Sequence, residues 1–342
     1  MKYSKYQKDI FKFCKSGKGN AIVQAVAGSG KTTTAVKAIE YCKGSTIFLA
    51  FNKAIATELC ERGVNGKTFR GLCYSSILKT LNIKNVDGDK LHKIIKKHID
   101  YHNSRMYASL IKKLVGLGKQ SGIGIFTDYS EFQRLFFEHD MQLEVIGSSM
   151  DDLFDYCKVI FDLSISDKTS VDFDDMLYFT VKEQIALPKY DNIFVDEAQD
   201  TNMIQRAILK QMTNCKTRLI AIGDKYQSIY RFRGADSNAM DLIKQEFLCT
   251  ELPLSVSYRC AKNIVTHARK YSPLIESSEN AIDGKVEYKE NWNIKEFKAK
   301  DYIICRTTAP IIKLAYSCLK NSIPAEVLGR DIGKGLVVLI VS

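Results

Sequence analysis

The sequence predicts an α/β protein in which a parallel sheet carries a phosphate loop, a helical block interrupts that sheet domain, and a second α/β unit begins near the C-terminus. Three observations predict it. The small-residue stretch Ala25-Val26-Ala27-Gly28-Ser29-Gly30-Lys31-Thr32 directly follows the apolar run Ala21-Ile22-Val23. Short apolar runs alternate with helical patterns in both halves of the chain, and residues 84–170 carry helical patterns with little strand signal.

Each element follows from local pattern. In the phosphate loop, small residues let the backbone curl so that successive N–H groups and the start of the next helix face the β-phosphate. Lys31 reaches the β and γ oxygens, and the Thr32 hydroxyl takes a place on Mg²⁺. Ala25 stands where the usual pattern has its first glycine, which is tolerable if that position keeps a negative φ. Thr33 to Cys42 is helical, and Ser45 to Ala50 is a short apolar run of the kind buried in parallel sheets. Helix Lys53 to Arg62, the short segment Lys67-Thr68-Phe69 and a helix from about Gly71 to Leu81 follow.

The block then supplies helices over Lys90 to Ile99, Ser104 to Leu117, Tyr129 to Glu138 and Met150 to Phe161. Strand patterns resume at Asn192 to Val195, Arg218 to Ile222 and Leu252 to Leu254. The second unit is expected after about Tyr258, with strand Tyr302 to Cys305, helix Pro310 to Leu319 and strand Ala325 to Leu328. Parallel strands joined this way need right-handed crossovers.

Composition narrows the partners. Lys and Arg outnumber Asp and Glu by 50 to 39 in 342 residues, a formal charge of +11. That excess favours a polyanion, and nucleic acid fits better than a membrane because no long apolar segment occurs. Ten cysteines lie far apart, with no CxxC pair and no histidine at ligand spacing, which argues against a zinc site or disulfide framework and for a reducing, intracellular setting. His98 and His102 are one helical turn apart, but beside Lys96 and Lys97 they read as a solvated basic face. The N-terminus lacks the apolar core of a signal peptide.

The second chemical signal is Asp196-Glu197-Ala198-Gln199-Asp200, at the C-terminal end of the apolar run 192–195, where ligands of open α/β sheets bind. Phosphoryl transfer needs a metal holder, which suits Asp196, and a group that orients and deprotonates the attacking water, which suits Glu197. An exposed acidic turn is the bland alternative.

With GSGKT and DEAQD, the block Ile222-Gly223-Asp224-Lys225-Tyr226-Gln227-Ser228-Ile229-Tyr230-Arg231-Phe232-Arg233-Gly234-Ala235 and then Ser257-Tyr258-Arg259-Cys260 occur in an order that resembles the UvrD/Rep-like superfamily 1 DNA helicases. Ala50-Phe51-Asn52-Lys53-Ala54 and Lys67-Thr68-Phe69-Arg70 look most like the branch containing the F-box DNA helicase, although no F-box-like segment precedes them here. The resemblance runs from about Tyr6 to Arg330; in and beside the helical block only Val171-Asp172-Phe173-Asp174-Asp175-Met176 matches a family pattern.

The resemblance implies RecA-like domains: a first, ATP-binding domain of residues 1–83 and 171–256, a helical subdomain of 84–170, and the start of a second RecA-like domain over 257–342. It implies ATP and Mg²⁺ as cofactors, bound by Gln7, Ala27, Gly28, Ser29, Gly30, Lys31, Thr32, Thr33 and Tyr258, with Thr32 and Asp196 on the metal. Gln7 matches a glutamine that reads adenine, Tyr258 an aromatic stacked on the base, Arg259 an arginine that reaches the γ-phosphate, and Gln227 a glutamine that senses it; Glu197, Gln227 and Arg259 are the implied catalytic set. Single-stranded DNA and single-to-double-strand junctions are the implied partners, held by Phe51, Asn52, Lys53, Thr68, Phe69, Arg70, Tyr230, Phe232 and Arg233. Each stacked base is worth roughly 1–3 kcal/mol. Phe232 stands where bacterial members have tryptophan, Arg70 where histidine is frequent, and Lys225 and Tyr226 where acidic residues are usual.

The implied activity is ATP-driven 3′ to 5′ translocation with duplex unwinding. The family's threonine-histidine-lysine-glycine stretch and its arginine-finger block have no counterpart before Ser342. Because such a finger is worth on the order of 10³–10⁵ in rate, this chain alone is expected to bind ATP far better than it hydrolyses it. A truncated chain, a motor completed by a second polypeptide and a degenerate copy that only binds DNA under nucleotide control all stay open. A P-loop phosphotransferase leaves DEAQD and the GDxxQSIY block without a purpose.

Overall fold

The computed structural model describes residues 3–143, 147–228, 234, 236 and 238–327. It divides into two compact units, Met1–Lys285 and Val286–Ser342.

The first unit opens with α1 (Lys5–Ser16), which Ser4 and Gln7 start through a reciprocal capping box and Gly17 ends in the left-handed conformation. There follow β1 (Ala21–Ala25), α2 (Lys31–Ile39), β2 (Thr46–Ala50), α3 (Lys53–Glu61), β3 (Gly66–Thr68) and α4 (Phe69–Thr80). The chain then leaves the sheet through β4 (Asn85–Val86) for α5 (Lys90–His98), α6 (Tyr101–Ser121), α7 (Glu131–Glu138) and α8 (Met150–Ser166), and returns through β5 (Ser170–Val171). β4 and β5 pair with each other, so entry to and exit from the helical block are tied together at its neck.

The rest of the unit is α9 (Asp175–Lys182), β6 (Asn192–Val195), α10 (Met203–Met212), β7 (Arg218–Gly223), α11 (Ala239–Glu246), β8 (Thr250–Leu254), β9 (Val256–Ser257), α12 (Lys262–Ala268) and β10 (Glu276–Ser277). Six strands form one parallel sheet in the order β3-β2-β6-β7-β1-β8, while β9 and β10 pair apart from it.

Both faces of the sheet are buried, which is why its strands read as continuous apolar runs. Val23, Phe48, Phe194, Ile220 and Ile222 point to one side, where they pack with Ile10 and Phe11 of α1 and Ala35 and Ala38 of α2. Their alternating neighbours Ile22, Leu49, Ile193, Val195 and Leu219 point to the other, into a core shared with Leu91, Ile111, Leu114, Phe132, Phe161 and Tyr178. The helical block therefore shares one continuous core with that face of the sheet, and its α6 packs against α9 and α10.

In the second unit, α13 (Thr308–Lys320) forms where the sequence predicts a helix. The expected strand at 302–305 does not form. Tyr302 and Ile304 are 81% and 91% exposed, and among the described residues of this unit no strand offers a ladder to pair with. Ala325 to Val327 is likewise unpaired, and Leu328 lies outside the described residues. Among the described residues no helix is long and apolar enough to cross a membrane.

Candidate functional site

Because the sheet is parallel, the C-terminal ends of β1, β6 and β7 open on one edge, and each is followed by one of the polar motifs. β1 runs into the phosphate loop, where Gly28 and Gly30 take φ of 72° and 77°. Gly28 has a second constraint: a Cβ there would sit 2.5 Å from the Arg259 Cβ and 2.8 Å from the Ser257 hydroxyl, and its carbonyl accepts the Tyr258 N–H at 2.9 Å. Thus the Ser257-Tyr258-Arg259 segment lies directly against the loop. Ser29 is fully buried with no hydrogen-bond partner for its hydroxyl.

Opposite the loop, β6 delivers Asp196 and Glu197. Glu197 adopts a left-handed backbone, φ 48°, a strained setting for a residue with a side chain, and its carboxylate pairs with Lys31 Nζ at 3.0 Å. Asp196 is buried and accepts the Glu197 N–H at 3.0 Å. Burial first, and the Glu197 charge second, push the Asp196 carboxyl up to about 6, against the pull of Lys31 and Thr32. Asp224, after β7, is pushed up by burial as well. One lysine thus faces three carboxyl groups, so the pocket is short of positive charge.

That is the donor set a divalent cation suits. A buried carboxylate whose charge is uncompensated, beside a threonine hydroxyl and below a curled loop of backbone N–H groups, is oxygen-rich and hard in character. Thr32 and Asp196 fit Mg²⁺ on these grounds.

Gln199 ties the edge together. Its Nε2 donates to Glu197 at 2.8 Å and Asp200 at 3.2 Å, and its Oε1 accepts the Asp224 N–H at 2.9 Å. Sequence reasoning quoted Gln199 inside DEAQD but gave it no role. The signal available was an amide, donor and acceptor at once, between two motifs that both need fixing.

The remaining anticipated residues are distributed as follows. Ala27 lines the loop half-buried, and Thr33 is exposed on the first turn of α2. Gln7 is buried, its amide donating to Thr34 Oγ1 at 2.9 Å and accepting the Ser4 N–H at 3.0 Å, so it is engaged inside the protein. Tyr258 is about half exposed and Arg259 is exposed. Gln227 is half-buried, and its backbone N–H donates to the Asp224 carbonyl at 2.9 Å.

Of the residues assigned to nucleic acid, Phe51, Asn52 and Lys53 stand exposed after β2, with Asn52 capping α3. Thr68 caps α4 through its hydroxyl. Phe69 is 6% exposed within the core and offers no open face to a base. Arg70 is exposed, bonded to Asp174 at 3.2 Å and lying over the Phe173 ring. Tyr230, Phe232 and Arg233 lie outside the described residues.

A parallel sheet with a glycine-rich loop after β1 and an aspartate–glutamate pair after a strand two places away defines a RecA-like P-loop nucleotide-binding protein. Residues 6–248 match the UvrD/REP helicase N-terminal domain, and the chain belongs to that family. It is similar to a probable DNA helicase II homolog of Mycoplasma pneumoniae, with 27% identity over 308 residues covering 78% of this chain and 42% of the relative. It is similar to the ATP-dependent DNA helicase PcrA of Bacillus subtilis, 26% identical across 75% of this chain and 38% of PcrA. The ATP-dependent DNA helicase Rep of Escherichia coli is 25% identical across 73% of this chain and 40% of Rep. The chain spans less than half the length of these relatives.

Proposed function

We propose that this chain is the ATP-binding part of a motor that moves 3′ to 5′ along single-stranded DNA and opens junctions ahead of it. The observation that carries the proposal is the cation-poor pocket formed by Lys31, Asp196 and Glu197 at one sheet edge. In this reading residues 1–83 and 171–256 form the first domain, 84–170 the helical subdomain, and 257–342 begin the second.

Lys31 and the N–H groups of 27–33 take the triphosphate. Magnesium, held by Thr32 and Asp196, would supply the positive charge the pocket lacks. Lys31 is paired with Glu197 before nucleotide arrives. A triphosphate draws Lys31 onto its own oxygens, and this leaves Glu197 free to orient and deprotonate the attacking water. Tyr258 stacks on the base and Arg259, set against Gly28, reaches the γ-phosphate. Gln7 reads adenine by exchanging its bond to Thr34 for one to the base. Gln227 senses the γ-phosphate through the loop after β7.

DNA follows Phe51, Asn52, Lys53, Thr68 and Arg70, and Tyr230, Phe232 and Arg233 extend that track; Phe69 serves as its buried support. The differing grip of nucleotide-bound and nucleotide-free states on DNA converts closure into steps.

The test is ATP turnover with and without single-stranded oligonucleotide, alongside DNA affinity over a salt series. Turnover that rises with DNA, and an affinity that falls steeply with salt as phosphate contacts release counterions, support the motor. ATP binding without any DNA-dependent turnover in a chain extended to the full length of its relatives would replace it with a nucleotide-controlled DNA-binding module.

A further inference from the structure

Gln7 and Tyr258, the two residues that address the base in the proposed motor, stand on separate elements, α1 and the turn after β9. A side-chain bond joins those elements beside both residues. Tyr6, next to Gln7 on α1, donates its hydroxyl proton to the Glu276 carboxylate at 2.7 Å. Glu276 opens β10, which lies parallel to β9 with Glu276 opposite Val256 and Ser277 opposite Ser257, the residue before Tyr258.

Both ends of the bond are firmly seated. The Glu276 N–H donates to the Ser255 carbonyl at 2.8 Å, and the Ser278 N–H to the Ser257 carbonyl at 3.2 Å. Ile275, just before Glu276, is buried with Val26 of the phosphate loop and Val265 of α12. On the other side, Tyr6 is half-buried against the core that holds Ile10 and Phe11. The bond to Glu276 pushes the Tyr6 hydroxyl above its ordinary range, so its proton is kept near neutrality.

Adenine presents a donor at N6 and an acceptor at N7, which one amide meets at once, whereas guanine presents two acceptors, O6 and N7. An aromatic ring stacks on any base, because every base has a π-face. Stacking on Tyr258 therefore supplies affinity without choice. Gln7 supplies choice only when the stacked base lies at the depth its amide reaches.

We propose that Glu276, acting through Tyr6, is a positioning residue for base selection: it fixes the gap between Gln7 and Tyr258, so that adenine is preferred to guanine. The inference rests on the assignment of Gln7 and Tyr258 to the base. Without the bond, α1 and the β9–β10 ladder keep their own packing and stacking persists, but the amide loses its register with the base edge. Lys31 takes no part in the bond, so the grip on the phosphates stays as it was.

The experiment is displacement of a fluorescent ATP analogue from the folded chain by ATP, by GTP and by tripolyphosphate, repeated in Tyr6→Phe, Glu276→Ala and Glu276→Gln. Tyr6→Phe keeps the packed ring and removes only the hydroxyl. In Tyr6→Phe and Glu276→Ala the affinity for ATP should fall by about threefold to tenfold, the worth of one hydrogen bond, while GTP and tripolyphosphate change by less than about twofold. Glu276→Gln, whose amide oxygen still accepts the hydroxyl proton, should keep the preference for ATP. Full ATP preference in Tyr6→Phe, or equal losses for ATP and tripolyphosphate, would overturn the inference and leave the assignment of Gln7 standing. An unaltered chain that binds GTP as tightly as ATP would overturn that assignment, and the inference with it.

Discussion

Two lysine–carboxylate clusters are held inside this chain, and they balance their charges in opposite ways. In the helical block, Lys119 of α6 pairs with Asp172 and Asp175 at 2.8 and 2.7 Å, and Lys90 of α5 pairs with Asp175 at 2.7 Å. These two cations meet two anions, neighbouring Asp174 has Arg70 as its own partner at 3.2 Å, and the Ser164 hydroxyl and Asp167 carbonyl take further lysine protons. Although burial works against it, the Lys119 charge holds Asp172 below the usual carboxylate range. At the sheet edge a single lysine faces Asp196, Glu197 and Asp224, and Asp196 is pushed up to about 6. A balanced cluster needs nothing more and acts as a brace. An unbalanced one keeps a vacancy for a cation, which marks it as a site.

The largest effect that sharpens this contrast is on the brace. Lys119→Ala leaves buried Asp172 without its cation and Asp175 with Lys90 alone, and should destabilise the chain by about 3–5 kcal/mol, read as a lowered urea midpoint. If the loss is under about 1 kcal/mol, the cluster is not a brace.

Lys31→Ala should behave in the reverse manner. Its partner Glu197 is 29% exposed, so stability should change by no more than about 1 kcal/mol. Triphosphate affinity, measured by titration with a fluorescent ATP analogue, should fall by about 1.5–3 kcal/mol, the worth of a charged hydrogen bond. Near-normal affinity would mean that another group holds the phosphates.

Acid titration should separate the clusters by sign. Asp196 has a folded pKa above its unfolded one, so its ionised form burdens the fold fully above about pH 6 and not at all below about pH 4. Asp196→Asn should therefore stabilise the ligand-free chain at pH 8, by up to about 2 kcal/mol after discounting for relaxation, and the gain should vanish at pH 4. Asp172 has a folded pKa below its unfolded one, so its contribution is present above the unfolded value near 3.8 and is lost as acid protonates it. Asp172→Asn should then cost stability at pH 7 and progressively less below pH 4. Equal pH slopes for the two variants would erase the distinction. The smallest expected change is Gln7→Ala, about 1 kcal/mol of stability from the capping box of α1, in a thermal melt.

The same contrast explains what the sequence discloses. The sheet edge is written locally: β6 spans the anticipated 192–195, and the loop and DEAQD are contiguous runs whose chemistry follows from neighbouring residues. The brace is written non-locally. Periodicity ends the second block helix at Leu117, but α6 continues to Ser121, because Lys119 is buried and neutralised by residues more than fifty positions away. A pattern that counts lysine as solvent-facing stops one turn too soon. Helices α9, α10 and α11 also escaped the pattern. In α9 nearly every position is buried, so no polar face marks a period of 3.6. Phe69 and Gln7 are legible as motif residues, but their burial depends on helices packed over them from elsewhere. The run at 302–305 shows the converse: apolar sequence without a neighbouring ladder stays unpaired.

The most direct test of the vacancy is the binding of a fluorescent ATP analogue to the chain and to Asp196→Asn, each with magnesium and with a chelator in its place. A site built short of one cation should bind more weakly when magnesium is removed, and Asp196→Asn should show little difference between the two conditions. Equal binding by the unaltered chain with and without magnesium, or full magnesium dependence in Asp196→Asn, would contradict it.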